Sequence, residues 1–181
     1  MTLLNTLRLR TSTSFSIAQV IPGTVIGPSE SATTATQALA HMDRQTKALL
    51  FDDARPRYAF GFVHVRDCAK VHIEALDEEK VKRGDVPPWY VAAGMTEEGW
   101  GGEMVWKGAG DMIEREFGDV VKKGVFTVGR DKTPINMPYR VDSRVTERML
   151  LGGERIRGLE ECVREVADWY VRLKEKNEGG A

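Results

Sequence analysis

The chain has 181 residues, 41% hydrophobic and 29% charged, with 26 Lys and Arg against 27 Asp and Glu. A chain of this size hides about 70% of its unfolded surface, so one ordinary core suffices without staples. The near-neutral balance gives no basic field for a phosphate backbone, and no apolar run approaches the roughly 18 residues of a membrane span, so neither nucleic acid nor membrane is an expected partner. Two cysteines, Cys68 and Cys162, stand far apart, too few for a disulfide framework and without zinc spacing. The expectations are a soluble protein of a reducing, cytoplasmic setting, with no metal.

No acidic residue precedes Glu30, and Arg8 and Arg10 sit among Ser and Thr. Residues 1–14 read as a frayed end, although an acid-free Arg/Ser start also fits an organelle transit peptide. Ser16 to Ile21 is a short apolar run closed by Pro22-Gly23, which predicts a buried strand and then a turn, with a second turn at Gly27-Pro28. Ser31 or Thr33 can cap a helix to about Leu50, with Ala35, Leu39, Met42 and Leu49 on one face. Arg55-Pro56-Arg57 breaks that pattern. Tyr58 to Val65 then reads as strand, and Asp67 as the N-cap of a helix through Cys68, Val71, His72 and Ala75.

After a charged loop from Lys80 to Pro88, Trp89 to Ala93 predicts a strand and Glu103 to Phe117 a helix. Thr96 with Glu97 and Glu98 could begin that helix, but Gly99, Gly101 and Gly102 interrupt it. Val125 to Val128 reads as a short strand, and Asp142 or Ser143 as the cap of a helix to Leu151. Leu159, Cys162, Val163, Val166, Trp169, Tyr170 and Leu173 keep helical spacing, before a tail over 176–181 that reads as disordered. Strands alternate with helices, so the class is α/β or α+β.

Two blocks bear on chemistry. Ile21 to Pro28 ends a strand where open α/β sheets bind ligands, although taken alone it reads as a turn. Phe62-Val63-His64-Val65-Arg66-Asp67-Cys68-Ala69 carries a strand into a helix. His64, His72 and His41 have no ligand spacing and read as packing or hydrogen-bonded residues.

In this order, about forty residues apart, the two blocks resemble the C-terminal half of the extended short-chain dehydrogenase/reductases, in particular the dihydroflavonol reductase, cinnamoyl-CoA reductase and fungal aldehyde/ketone reductase group. That family has Asn-Pro-Gly-x-Val-x-Gly-Pro against the nicotinamide and Phe-Val-His-Val-x-Asp-Val-Ala entering a helix; here Ile21 replaces the Asn and Cys68 a Val. Trp89-Tyr90-Val91 and the Gly158-Leu159-Glu160-Glu161 helix start extend the likeness over residues 14 to 175.

The resemblance implies the late part of a Rossmann-type parallel sheet plus a small α+β substrate-binding lobe, in one domain over 15–175. It implies NADP(H) and a small-molecule carbonyl substrate, a bulky and often aromatic or aliphatic aldehyde or ketone, with Pro22, Thr24 and Val25 at the nicotinamide and Thr33 or Thr34 in place of a Ser that approaches the cofactor.

The sequence has no G-x-G-x-x-G phosphate loop, and residues 1 to 15 hold neither the Tyr nor the Lys of the family's Tyr-x-x-x-Lys. Tyr170 to Lys174 fits that pattern but falls on the closing helix, where it reads as chance. The expectation is a truncated reductase with no catalytic residue of its own, weak or absent cofactor binding, and an apolar sheet edge that invites self-association. A non-catalytic binding module, or one chain of a split enzyme, is the alternative.

Overall fold

The computed structural model of the chain describes residues 18–53, 55–57, 61–81, 89–94, 102–134 and 140–178. Within them lie four short strands, β1 (Val20–Pro22), β2 (Thr24–Ile26), β3 (Phe62–His64) and β4 (Tyr90–Ala92). Seven helices accompany them: α1 (Ala35–His41), α2 (Arg44–Phe51), α3 (Val65–Glu74), α4 (Gly102–Glu116), α5 (Gly118–Lys122), α6 (Arg144–Leu150) and α7 (Leu159–Glu178). β1 pairs with β4 and β2 with β3, both in parallel. Parallel strands need crossovers, and the intervening helices supply them. The architecture is α/β, as the alternation implies.

The expected turn at Pro22-Gly23 is not a turn. The Gly23 N–H donates to the Ala92 carbonyl at 2.9 Å and the Thr24 N–H to the Gly61 carbonyl at 3.0 Å, so the chain stays extended and changes partner from β4 to β3. Pro22, with no N–H to add to a ladder, stands at the changeover. Ser16 and Ile17, the expected start of this strand, lie outside the described residues, as do Thr96 to Glu98, Tyr139 and positions 58–60 and 82–88.

β3 feeds the core on both faces, because successive side chains of a strand point opposite ways. Phe62 enters a first cluster with Ile26, Leu49, Trp106, Met112 and Val163. Val63 enters a second with Val71, Tyr90, Leu150 and Ile156. The first cluster is built mainly between α4 and α7. Trp106, Ala109, Met112 and Ile113 on one helix meet Leu159, Cys162, Val163, Val166 and Ala167 on the other, each set at the spacing of one helical face.

Three further expectations are corrected. The helix expected from Ser31 or Thr33 to Leu50 is two helices. Thr34 caps α1, its hydroxyl accepting the Gln37 N–H at 3.2 Å. Asp43 opens α2 by accepting the Gln45 and Thr46 N–H groups at 2.8 and 3.0 Å. Asp67 is not a cap: His64 holds that position for α3, its Nδ1 accepting the Arg66 N–H at 3.1 Å.

Val125 to Val128 forms no strand, because its backbone is satisfied elsewhere. The Thr127 and Gly129 N–H groups donate to the Leu50 and Leu49 carbonyls at 2.9 and 2.8 Å, satisfying carbonyls that the end of α2 leaves free. The Trp106 indole N–H adds a bond to the Gly129 carbonyl at 3.1 Å. At the far end, α7 continues to Glu178, into the stretch read as tail.

Candidate functional site

The parallel strands end along one edge, and in open α/β sheets ligands bind beyond that edge. Pro22 closes β1 at that edge and is exposed, whereas Thr24 opens β2 half-buried and Val25, next along β2, is 40% exposed. Val65, directly after β3, is also exposed, at 37%. The chain leaves β2 across it through Gly27, where a Cβ would stand 2.3 Å from Val65 Cγ1. Only glycine fits that approach, so the Val25 and Val65 segments are held against each other.

The carbonyl ends around this stretch are held on all sides. Ser143, fully buried, donates its hydroxyl to the Ala93 carbonyl at 2.5 Å and accepts the Ala93 N–H at 3.3 Å. The Gly94 N–H donates to the Phe62 carbonyl at 2.7 Å, tying the end of β4 to β3. Gly94 lies so close to the entry of α7 that a Cβ would fall 2.5 Å from the Arg157 carbonyl oxygen.

A polar clamp underlies the end of β3. The Arg157 guanidinium grips Asp67 from Nη2 at 2.7 Å and from Nε at 3.0 Å, and the Arg157 N–H adds a bond to the same carboxylate at 3.0 Å. Burial raises the Asp67 pKa, but the Arg157 hydrogen bonds outweigh it and hold the group below the usual carboxylate range. Glu165 of α7 stands 3.4 Å from Arg157 Nη1, 3.4 Å from Arg66 and 3.0 Å from His64 Nε2. The last contact is close but off the line of a good hydrogen bond, which leaves the His64 ring short of a partner on that side. His64 is fully buried, and burial followed by the charge of Arg157 pushes its pKa down. Arg157, Asp67 and Glu165 are engaged with one another, so the clamp fixes β3 and α3 to α7.

Of the residues read from the sequence as cofactor-binding, Pro22, Thr24 and Val25 lie together on the β1–β2 run. Thr34 sits on another element, at the start of α1, which packs against α7. Tyr170 stacks edge-on against Phe51 at 5.1 Å and lies 5.9 Å from Phe126. With Lys174 it lines a groove that neither Pro22 nor Val25 borders. Cys68 and Cys162 are free thiols, and burial pushes the Cys162 thiol up to about 12, so it stays protonated. Among the described residues no three His, Cys, Asp or Glu side chains are grouped as metal ligands.

The sequence missed the Arg157–Asp67–Glu165–His64 clamp entirely. Its only local signal is the alternation of charge around the Gly158 helix start.

No family model matches the sequence, and no curated protein matches it. Among solved structures, the crystal structure of Gre2 from Candida albicans matches with a TM-score of 0.56 at 19% identity, over 94% of this chain and 48% of that chain. Gre2 from Candida albicans in complex with NADPH matches with a TM-score of 0.57 at 17% identity, with the same coverage of both chains. At these identities the likeness is one of fold. The chain spans about half the length of the reductases it matches, and it has the α/β fold of that half.

Proposed function

We propose that these residues form the substrate-side, C-terminal half of an NADPH-dependent carbonyl reductase, with Pro22, Thr24 and Val25 against the nicotinamide. The observation that carries this reading is the pair of exposed side chains, Pro22 at the end of β1 and Val25 in β2, on one extended run flanked by strands whose carboxyl ends are tied down. A nicotinamide ring needs an apolar shelf with backbone groups beside it. Exposed Pro22 and Val25 offer that shelf, the latter with its backbone held in the β2–β3 pair. Thr34 uses a hydroxyl lone pair to cap α1 and keeps its proton for a cofactor oxygen.

The dinucleotide's pyrophosphate is another matter. It needs closely spaced glycines at a helix N-terminus, and the sequence has no such motif. In this reading, the phosphate cradle and the proton-donating tyrosine come from residues outside these 181, in the same polypeptide or a second chain. The 181 residues alone then hold no catalytic group and reduce no aldehyde. When bound, the cofactor supplies the hydride; this chain orients its ring and shapes the space for a bulky aromatic or aliphatic aldehyde or ketone. The unpaired thiols suit a reducing, cytoplasmic setting.

A chimera tests the proposal. Residues 18–178 replace the half of the Candida albicans reductase on which they superpose, leaving its other half in place. The chimera is expected to bind NADPH and to oxidise it with a bulky aldehyde. A chimera that melts cooperatively yet leaves NADPH unbound contradicts the proposal.

A further inference from the structure

Helix α3 carries apolar side chains on two faces. Val71 and Ala75 are buried in the second core cluster, with Cys68 packed beside them. A separate stripe, Val65, Ala69 and Ile73 with Leu76 in the closing turn, is exposed, and its four- and three-residue steps put it on one face. Ile73 is 66% and Leu76 81% exposed, the barest large apolar side chains among the described residues. The remaining flank is charged and already engaged, Arg66 with Glu165, Asp67 with Arg157, Lys70 with Glu154 and Glu74 with Lys80. We propose that the exposed stripe seats a helix of the complementary half of the fold, from a strand–helix unit that adds at the free edge of β1. The proposal rests on the reading that these residues are one half of a reductase, and it names the surface on which the other half docks.

The direction in which the stripe faces selects this occupant. Buried face, charged flank and apolar stripe divide the circumference of α3 roughly in thirds. α3 packs on both β1 and β4, and α6 packs on β4. Glu154 and Arg157, which hold the charged flank, follow α6 in the chain. The charged flank therefore faces the β4 side, and the stripe faces out over the edge of β1 that has no strand beside it among the described residues. β1 is itself incompletely covered: Val20 and Ile21 are only half-buried, whereas strands inside a parallel sheet are covered on both faces. A strand added there brings its own helix, and packed helices lie about 8–10 Å apart, close enough to cover Ile73 and Leu76.

The stripe also starts at the right end. Val65 opens α3 at the carboxyl edge of the strands, against Gly27. A helix that connects parallel strands runs opposite to them, so a helix seated along the stripe begins at that same edge with its N-terminus toward the ligand. A pyrophosphate needs such a helix N-terminus. The residues matched make up 48% of the Candida albicans reductase chain, which leaves about half of such a chain to supply the unit. A second copy suits the edge less well, since two-fold symmetry would add its β1 antiparallel and bring no phosphate cradle.

Ile73→Glu with Leu76→Glu is made in the 181-residue chain and in the chimera of residues 18–178 with the other half of the Candida albicans reductase. In the chain alone both positions face water, and the urea midpoint is expected to stay unchanged. In the chimera the same pair puts two carboxylates into an apolar seam and is expected to lower Tm by about 5–10 °C. Ile73→Ala with Leu76→Ala, the milder pair, is expected to lower it by about half as much. A chimera that loses nothing with either pair overturns the proposal, and so does an equal loss in chain and chimera. Two separate melting transitions in the unsubstituted chimera overturn it as well, because no seam then joins the halves. A discrete dimer of the 181-residue chain that the Glu pair turns into monomer assigns the stripe to a second copy instead. NADPH binding by the unsubstituted chimera reads the cofactor site separately, so failure there and failure of the seam are told apart.

Discussion

Gly94→Ala tests the packing that sets the candidate edge. The added Cβ would stand 2.5 Å from the Arg157 carbonyl oxygen, 2.9 Å from Gly158 Cα and 3.0 Å from the Arg157 carbonyl carbon. All three are backbone atoms, so no side chain can rotate away. Neither wall can retreat cheaply. The Arg157 N–H is bonded to Asp67 and the Gly158 N–H to Glu161, while β4 is tied down through the Gly94 N–H and through Ser143.

Gly94 is outside the left-handed region, so the cost is one of space alone. Overpacking of this kind costs about 2–3 kcal/mol. In a chain of this length that lowers Tm by about 5–10 °C. Urea unfolding followed by tryptophan fluorescence gives the change in midpoint at constant slope. Gly118→Ala, at the start of α5 with nothing within 4 Å, is the control and is expected within about 0.5 kcal/mol of the parent. A Gly94→Ala protein as stable as the Gly118→Ala one refutes the reasoning.

Four other outcomes are expected. With its pKa held below 6.5 in the native state, His64 takes up a proton more readily unfolded, so its contribution is complete above about pH 6.5 and is lost as pH falls below it. His64→Asn, which can still cap α3, is expected to flatten that part of the urea-midpoint profile; a parent profile that rises toward pH 5 contradicts this. Asp67, depressed below 3.8, contributes above that pH and loses its contribution only in stronger acid. Calorimetric titration of the isolated chain with NADPH is expected to show no low-micromolar binding, because no glycine-rich phosphate loop is present. Among the described residues β1 has β4 on one edge and no strand on the other, and Val25, Ile73, Leu76 and Trp89 are exposed. Light scattering with a hydrophobic dye is therefore expected to show dye binding and association, and a dye-free, monodisperse monomer argues against that surface.

What the sequence disclosed was whatever depends on neighbours in sequence. The stripes of α4 and α7 are visible as Trp106, Ala109, Met112 and as Leu159, Val163, Val166, because a helical face repeats every three to four residues. The β4 strand is bounded by Pro88 and Gly94 and reads equally well. Partners distant in sequence were invisible. Asp67 looked like a cap because it precedes an apolar helical pattern; its guanidinium partner is 90 residues away, and His64 took the cap instead. Val125 to Val128 has strand composition, but its partners are carbonyls at a helix end, which no periodicity encodes. Pro22-Gly23 has turn composition, yet the chain runs straight because two different strands take up successive N–H groups. Pro22, Thr24 and Val25 were singled out by a motif alone, whereas the groove on α7 left only the Tyr170–Lys174 spacing.

The most direct measurement is the nuclear Overhauser contact between the nicotinamide C4 protons of bound NADPH and this chain in the folded chimera. Cross-peaks to Pro22 and to the Val25 amide, with none to Tyr170, are the result the account requires. NADPH bound with cross-peaks to Tyr170, or with none to any residue from Pro22 to Val25, would contradict it.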